Sequence, residues 1–151
     1  MTDVGVRSLF EQLPGLQRFR LSDCAKVTGD VLKPTCEKAA AVNKANKERA
    51  KNNQPLERCP CELTHLELSH QPRMSVGAVT NLRELTSLRT LILSHCPLTD
   101  TGVKDLRRLH GLQHLDLSHC PKLTDKGIAS LNKCGKNLMT GACKCACCVC
   151  V

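Results

Sequence analysis

Cysteines are concentrated near the C-terminus of this 151-residue chain, which contains 12 of them. The last stretch has dense C-x-C spacing, with Cys143, Cys145, Cys147, Cys148 and Cys150. Cys148 stands fourth from the end, as in a C-a-a-X prenylation box, and Cys145 and Cys147 are then candidates for palmitoylation. Closely spaced thiolates also bind soft metals, and an accidental sequence after a shifted splice junction is a third interpretation, which we favour. We expect contact with a membrane only if this tail is lipidated.

A second set of cysteines and histidines recurs in the body of the chain. The cysteines are Cys24, Cys96 and Cys120, and the histidines one position before the recurring cysteine position are His70, His95 and His119. A buried cysteine behaves as a small hydrophobe, and no His–Asp or His–Asn pair is placed to activate a thiol. Histidines in a column along neighbouring strands do not converge on one point, as a tetrahedral metal site requires. We therefore expect no catalytic residue, no metal site and no cofactor, and histidines that face solvent or a partner.

These residues close four segments that share the pattern L-x-x-L-x-L, with Phe at the second position of the first copy. The segments begin at Leu16, Leu63, Leu88 and Leu112. From Leu63 to Leu88 is 25 residues and from Leu88 to Leu112 is 24, which lies inside the period of about 20–29 residues of leucine-rich repeats. Apolar residues two positions apart point to one face of a strand, so stacked copies form a parallel sheet over one shared core.

A helical pattern follows the later segments. It spans Leu98 to Leu106 and recurs from Leu123 to Leu131, with a weaker copy at residues 74–82. Thr or Asp at the second or third position of each strong copy is a good helix N-cap. Apolar residues three apart, such as Val103 and Leu106, lie on one helix face. The sequence therefore predicts a helix after each strand, on the convex side of the array.

The sequences LSHCPLTDTGVKDL and LSHCPKLTDKGIASL, at residues 93–106 and 117–131, resemble the cysteine-containing leucine-rich repeats of F-box/LRR proteins and of the related antagonist of mitotic exit. The resemblance is specific over residues 82–131 and weaker over 1–30 and 61–81. It implies an α/β fold, a short horseshoe-shaped solenoid of parallel strands with convex helices. It also implies that the repeat cysteines fill the core edge. In function it implies the substrate-recognition arm of Skp–cullin–F-box ubiquitin ligases, with Skp–cullin components as partners, although the chain has no visible F-box.

The spacing is interrupted between the first and second segments. Residues 35–58 lack the leucine pattern and are rich in Ala, Lys and Asn, so we expect an exposed, basic, partly helical insertion that replaces one repeat. Residues 37–56 should supply almost no core, so that a short linker could replace them. The expected organisation is a partial and a first repeat at 1–34, the insertion at 35–60, repeats at 61–138, and a disordered cysteine-rich tail at 139–151. Both ends fall inside a repeat, which we interpret as a truncated form, an alternative isoform or an imperfect gene model.

Composition bears on which kinds of partner the chain can bind and on the cellular compartment in which it works. The net charge is +8, but the chain has two Phe and no Tyr or Trp, so it lacks the aromatic side chains on which single-stranded nucleic acids stack. We expect no nucleic-acid partner. The sequence has neither a signal-peptide pattern nor the run of about 20 apolar residues of a membrane span. We therefore expect a cytoplasmic or nuclear protein, in which cysteines stay outside disulfides.

The residues between the inward leucines face the concave side, which is the default binding surface of such an array. They are Arg18, Arg20, His65, Glu67, Thr90, Ile92, His114 and Asp116. Their charge runs from basic to acidic along the sheet, which suits a protein partner of mixed charge, and Ile92 is the candidate anchor. The sequence thus indicates a non-enzymatic protein-interaction module. The alternative is a thiolate metal-binding or lipid-anchored protein that acts through the cysteine-rich tail.

Overall fold

The computed structural model describes residues 2–13, 15–59 and 61–131. Four short strands form one parallel sheet in the order β1-β2-β3-β4. They are β1 (Arg18–Ser22), β2 (His65–Ser69), β3 (Thr90–Ile92) and β4 (His114–Asp116). Each lies inside one of the four leucine segments, and neighbours in sequence are neighbours in the sheet.

Within the described residues, five α-helices and two 3-10 helices accompany these strands. The α-helices are α1 (Asp3–Gln12), α2 (Lys33–Lys51), α3 (Val76–Leu82), α4 (Asp100–Lys104) and α5 (Asp125–Leu131). The 3-10 helices are Gly29–Leu32, which leads into α2, and Asp105–Arg108, which continues α4. No helix in the described residues is both long enough and apolar enough to cross a membrane.

The core lies between the sheet and the helices. The inward strand leucines Leu66, Leu68, Leu91 and Leu93 are buried, and they share one cluster with helix residues such as Val103. The expected alternation of inward leucines and outward polar residues is therefore present, because side chains in a strand point alternately to its two faces. Burial of one repeat depends on the next, as in stacked repeats generally.

Each strand is followed by a residue with left-handed backbone geometry. Asp23, His70, His95 and His119 have φ between 54° and 56°. Among non-glycine residues, Asp and His are enriched in this region of backbone space. The recurrence of Asp or His at this position therefore has a local cause, the turn that redirects the chain from strand to helix.

Some neighbouring helices are joined by an aspartate–threonine clamp. Both carboxylate oxygens of Asp100 accept hydrogen bonds from Thr124, at 2.8 Å from its backbone N and 2.6 Å from its Oγ1. Asp3 binds Thr28 in the same way, at 2.7 and 2.8 Å. The bonds from the Thr124 side chain and backbone hold the pKa of Asp100 below its usual value. A Cβ at Gly127 would collide with the Asp100 carboxylate, so glycine at residue 127 leaves room for this clamp.

The interruption forms a single long helix. α2 begins at Lys33 with Pro34 in its first turn, where the absent proline N–H is not needed, and β1 pairs directly with β2 across it. The expectation that residues 37–56 supply almost no core is wrong near the start of α2, because Ala39 is buried; Cys36, just before that range, is buried as well. Asn43 Nδ2 also donates to the carbonyl oxygen of Glu84 at 2.8 Å. The leucine pattern did not predict this contribution to the core, because it comes from small side chains.

Candidate functional site

The eight outward side chains lie in two rows across the sheet, on the face opposite the leucine core. We call this surface the open face. One row is Arg18, His65, Thr90 and His114, and the other is Arg20, Glu67, Ile92 and Asp116. The register pairs each member with its counterpart on the next strand, so the structure brings together all eight residues that the sequence placed on one surface. The two arginines are exposed, and the other six residues are partly buried.

Several charges of the open face are already engaged within the protein. Arg20 Nε lies 2.9 Å from Glu67 Oε2, in an ion pair that leaves 76% of the Arg20 side chain exposed. Asp116 Oδ1 accepts a hydrogen bond from the backbone N–H of Ser118 at 2.9 Å. Asp116 therefore has a local role in the turn after β4, which sequence reasoning did not anticipate. A partner that contacts these carboxylates meets groups held in fixed orientations.

A row of serines continues the outward positions towards the strand ends. Ser22 pairs with Ser69 in the register of the sheet, and Ser94 Oγ donates to Ser69 Oγ at 3.0 Å. Ser69 and Ser118 are buried. The hydroxyls of Ser69 and Ser94 therefore bond to each other within the sheet.

The three histidines of the strand-end turns form a stacked column. Ring centroids are 4.0 Å apart between His70 and His95, with 14° between the planes. The corresponding values are 4.3 Å and 15° between His95 and His119. Loss of water around the ring, followed by the charges of the two flanking histidines, lowers the pKa of His95. The rings lie face to face and their nitrogens do not converge, and no group of metal-ligating residues is found in the described part of the chain.

The repeat cysteines bond to the preceding repeat. Cys96 Sγ donates to the carbonyl oxygen of Leu68 at 3.1 Å, and Cys120 Sγ donates to that of Leu93 at 3.3 Å. Burial raises the pKa of the Cys96 thiol to about 11, so it is a poor nucleophile at neutral pH because the thiolate is the reactive form. Cys24, in the first repeat, donates to the carbonyl oxygen of Ser22 in its own segment at 3.4 Å, and no bond from its thiol to another repeat is found among the described residues.

Gln71 occupies the cysteine position of the second repeat and performs the same task. Its Nε2 donates to the carbonyl oxygens of Leu21 at 3.3 Å and Ser69 at 3.2 Å. The sequence analysis assigned no role to Gln71. The signal that would have identified it is chemical, since both a thiol and an amide can donate to a buried carbonyl. The recurring feature is therefore a donor that ties one repeat to the one before it.

The candidate lipidation residues Cys145, Cys147 and Cys148 lie outside the described residues, as does the rest of the tail. The alternative that relied on them stays a hypothesis.

Comparison with known proteins bears on the body of the chain. Residues 86–132 match the family model described as Leucine Rich repeats (2 copies). A search of the curated proteins finds no match. Leucine-rich repeats are typically non-enzymatic modules that commonly bind protein partners. The matched repeats contain β3, α4, β4 and α5. β2 pairs in register with β3, and β1 pairs with β2. Residues 86–132 are thus similar to leucine-rich repeats, and together with the parallel four-stranded sheet and its helices they fit an α/β repeat fold.

Proposed function

We propose that the chain is a non-enzymatic module that binds a protein partner on the open face, which we place on the concave side of a short solenoid. The observation that carries the proposal is the alignment of the eight outward side chains in two rows, with an apolar residue, Ile92, between Glu67 and Asp116. Solvent favours a polar side chain at such a position. Binding energy concentrates in a few central residues of an interface, and Ile92 is central here.

The charges favour a protein partner over a polyanion. The open face changes from arginines on β1 to an aspartate on β4. A phosphate backbone would be repelled by the acidic end, whereas a protein surface of mixed charge can complement both ends. We expect the partner to place acidic groups near Arg18 and a basic group near Asp116.

At a finer level, we propose that this surface acts as a substrate-recognition arm of the Skp–cullin ubiquitin-ligase type, in the cytoplasm or nucleus. Support comes from the resemblance of residues 93–106 and 117–131 to the cysteine-containing repeats of that class. The contacts of the repeat cysteines agree with that resemblance, because Cys96 and Cys120 each bond to the preceding repeat. Skp and cullin components would then accompany the partner in cells.

The test is affinity capture from cells with the wild-type chain and with Ile92→Asp, with bound proteins identified by mass spectrometry. Ile92 is partly buried on the sheet surface, so a carboxylate there should weaken partner binding while circular dichroism shows an intact fold. Lys104→Asp on α4 is the matched control, since Lys104 is exposed on the helix side. Loss of the same proteins with Lys104→Asp, and their retention with Ile92→Asp, would place the site on the helices.

The ligase proposal has a separate readout in the same capture. Skp and cullin components should be enriched with the wild-type chain. Their absence, with a partner still lost in Ile92→Asp, would refute the ligase role and leave the interaction module standing.

A further inference from the structure

The stacked histidines are held in place by the backbone of the turns that carry them. His70, His95 and His119 share the same left-handed backbone geometry. The N–H of His70 donates to the carbonyl oxygen of Ser94 at 3.0 Å, and that of His95 donates to Ser118 at 2.9 Å. Equal backbone geometry at the spacing of neighbouring strands aims the rings in one direction, which gives the centroid distances of 4.0 and 4.3 Å. The column is therefore formed before any partner binds.

Only the ring edges of the middle histidine are open to a partner. All three histidines are exposed, but the rings of His70 and His119 cover the two faces of His95. The part of His95 that reaches water is therefore an edge of the ring, where the nitrogens lie. Parallel ring edges at this spacing can donate to both oxygens of one carboxylate. A nucleic-acid base, which binds by stacking, meets no free face on the middle ring.

Basic side chains lie in the same turns as the column or next to it. Lys26, Arg73 and Lys122 hold one position of the repeat, three residues after the histidine position, and all are exposed. Each precedes the last residue of a turn closed by a backbone hydrogen bond, at residues 24–27, 71–74 and 120–123. We call the histidine column together with these three side chains the turn edge. Its positive charges outnumber the one carboxylate at the histidine position, that of Asp23.

The charge of the column depends on pH. Histidine is the side chain that ordinarily changes charge between about pH 5 and pH 8, and two protonated rings in a stack repel each other. Loss of water around the ring, and then the charges of His70 and His119, lower the pKa of His95, while Asp116 and Asp23 act in the opposite direction. A carboxylate laid along the ring edges would add negative charge and stabilise protonated rings. Binding of an acid and uptake of a proton therefore favour each other.

We propose that the turn edge is a second binding surface, which takes an acidic segment of a partner protein and takes up protons as it binds. Carboxylates of the segment lie along the ring edges, within reach of the basic side chains in the same turns. Binding is therefore stronger in mildly acidic solution than at neutral pH. The turn edge uses none of the eight side chains of the open face, so the two surfaces can be tested separately.

The test uses the full chain and a rhodamine-labelled synthetic peptide of alternating Glu and Gly, with binding followed by anisotropy between about pH 7.5 and pH 5.5. Glutamate, with a pKa of about 4.3, stays ionised over this range, so a change in affinity comes from the protein. The affinity should rise at least about tenfold as the pH falls, since uptake of one proton allows up to about tenfold per pH unit. A peptide of Gln and Gly should bind at least about tenfold more weakly at the lower pH.

Replacement of the three column histidines by Asn removes the titrating rings and keeps side chains that tolerate positive φ. This triple variant should lose the pH dependence of peptide binding, while circular dichroism at each pH shows an intact fold. His110→Asn is the matched control, because His110 is exposed but lies outside the column. It should bind the peptide with the pH dependence of the wild-type chain.

A pair of lysines tests the turn edge without changing the column, and still decides if the triple variant fails to fold. Lys122→Glu reverses a charge in the turn edge, and Lys104→Glu reverses an exposed charge on α4. Lys122→Glu should weaken binding of the acidic peptide about tenfold more than Lys104→Glu does. Both changes alter the net charge equally, so the difference reports the place of binding.

Three outcomes would overturn the proposal. Unchanged pH dependence in the folded triple variant would show that the column takes up no proton. Equal losses with Lys122→Glu and Lys104→Glu would mean that the peptide responds to net charge alone. Tighter binding of a single-stranded oligonucleotide than of the peptide, weakened selectively by Lys122→Glu, would assign the turn edge to nucleic acid.

Discussion

At the β1 end of the molecule the helix layer projects beyond β1, whereas β3 has a neighbouring strand on each side. Both regions carry the same motifs, including the L-x-G-L segment, the inward strand residues and the aspartate–threonine clamp. Their burial nevertheless differs, as the exposure of Leu13 and Leu109 shows. The repeat sequence determines where a leucine points, and the neighbouring repeat determines how much water it loses. A consensus residue is therefore not equally important in every copy.

The largest expected effect is a difference in stability between alanine variants of Leu109 and Leu13. Leu109→Ala removes a buried side chain and should lower the free energy of unfolding by about 2–5 kcal/mol. Leu13→Ala removes a half-exposed side chain and should lower it by less than about 1 kcal/mol. Urea unfolding of both variants, followed by circular dichroism, measures the difference. Equal losses would mean that Leu13 is covered in solution.

A second pair of leucines, Leu91 on β3 and Leu115 on β4, extends this comparison. Leu91→Ala should fall in the same range of about 2–5 kcal/mol, because Leu91 is fully buried. Leu115 on β4 is only partly buried, so Leu115→Ala should have a smaller effect. A larger loss for Leu115→Ala than for Leu91→Ala would contradict the burial gradient along the sheet.

The next effect concerns α2, the long helix between β1 and β2. Ala39 is fully buried and Ala50 is exposed on the same helix. Ala39→Glu places a charge in the core and should cost about 2 kcal/mol or more, while Ala50→Glu should change stability by less than about 0.5 kcal/mol. Thermal melts of the two variants provide the measurement. Equal melting temperatures would mean that residues 37–56 contribute almost nothing to the core, as the sequence predicted.

The spacing of leucines predicted the strands well, but it did not predict which residues of α2, or of the segment after α1, are buried. The strands and the two outward rows followed from leucines two positions apart, because side-chain alternation leaves one register for a strand buried on one face. The burial of Ala39 did not follow, since a small side chain in an Ala-rich helix carries no pattern that distinguishes buried from exposed positions. The exposure of Leu13 did not follow either, because it depends on a strand that is missing from the described sheet.

In the candidate site, too, the sequence predicted the positions of the residues but not their contacts. The eight positions of the open face could be named from the sequence, because each is fixed by the register. The ion pair between Arg20 and Glu67 and the bond from Ser118 N to Asp116 could not, since they depend on the rotamers chosen across neighbouring strands and turns. Asp116 is therefore a poorer test of partner binding than Ile92, because its replacement also removes a bond within the turn.

A smaller effect is expected from the donors that connect repeats. Cys96→Ala removes a buried thiol that donates to Leu68, and should cost about 1 kcal/mol. Cys24→Ala removes a thiol that bonds to Ser22 of its own segment, and its effect should be less than about 0.5 kcal/mol. The two variants can be compared in urea unfolding. A greater loss for Cys24→Ala would show that the first repeat relies on its cysteine more than the third does.

The smallest effect should come from the histidine column, which ends at Asp23 on the β1 side. Because the folded protein holds the pKa of His95 below 6.5, the unfolded chain binds a proton more readily. The contribution of His95 to stability is therefore complete above about pH 6.5 and is lost as the pH falls through that value towards the lower pKa of the folded state. His95→Asn should reduce this dependence and keep the turn, since Asn also tolerates positive φ. Urea midpoints between pH 8 and pH 5 would record it, and an identical slope in both proteins would show that stacking with His70 and His119 has no electrostatic consequence.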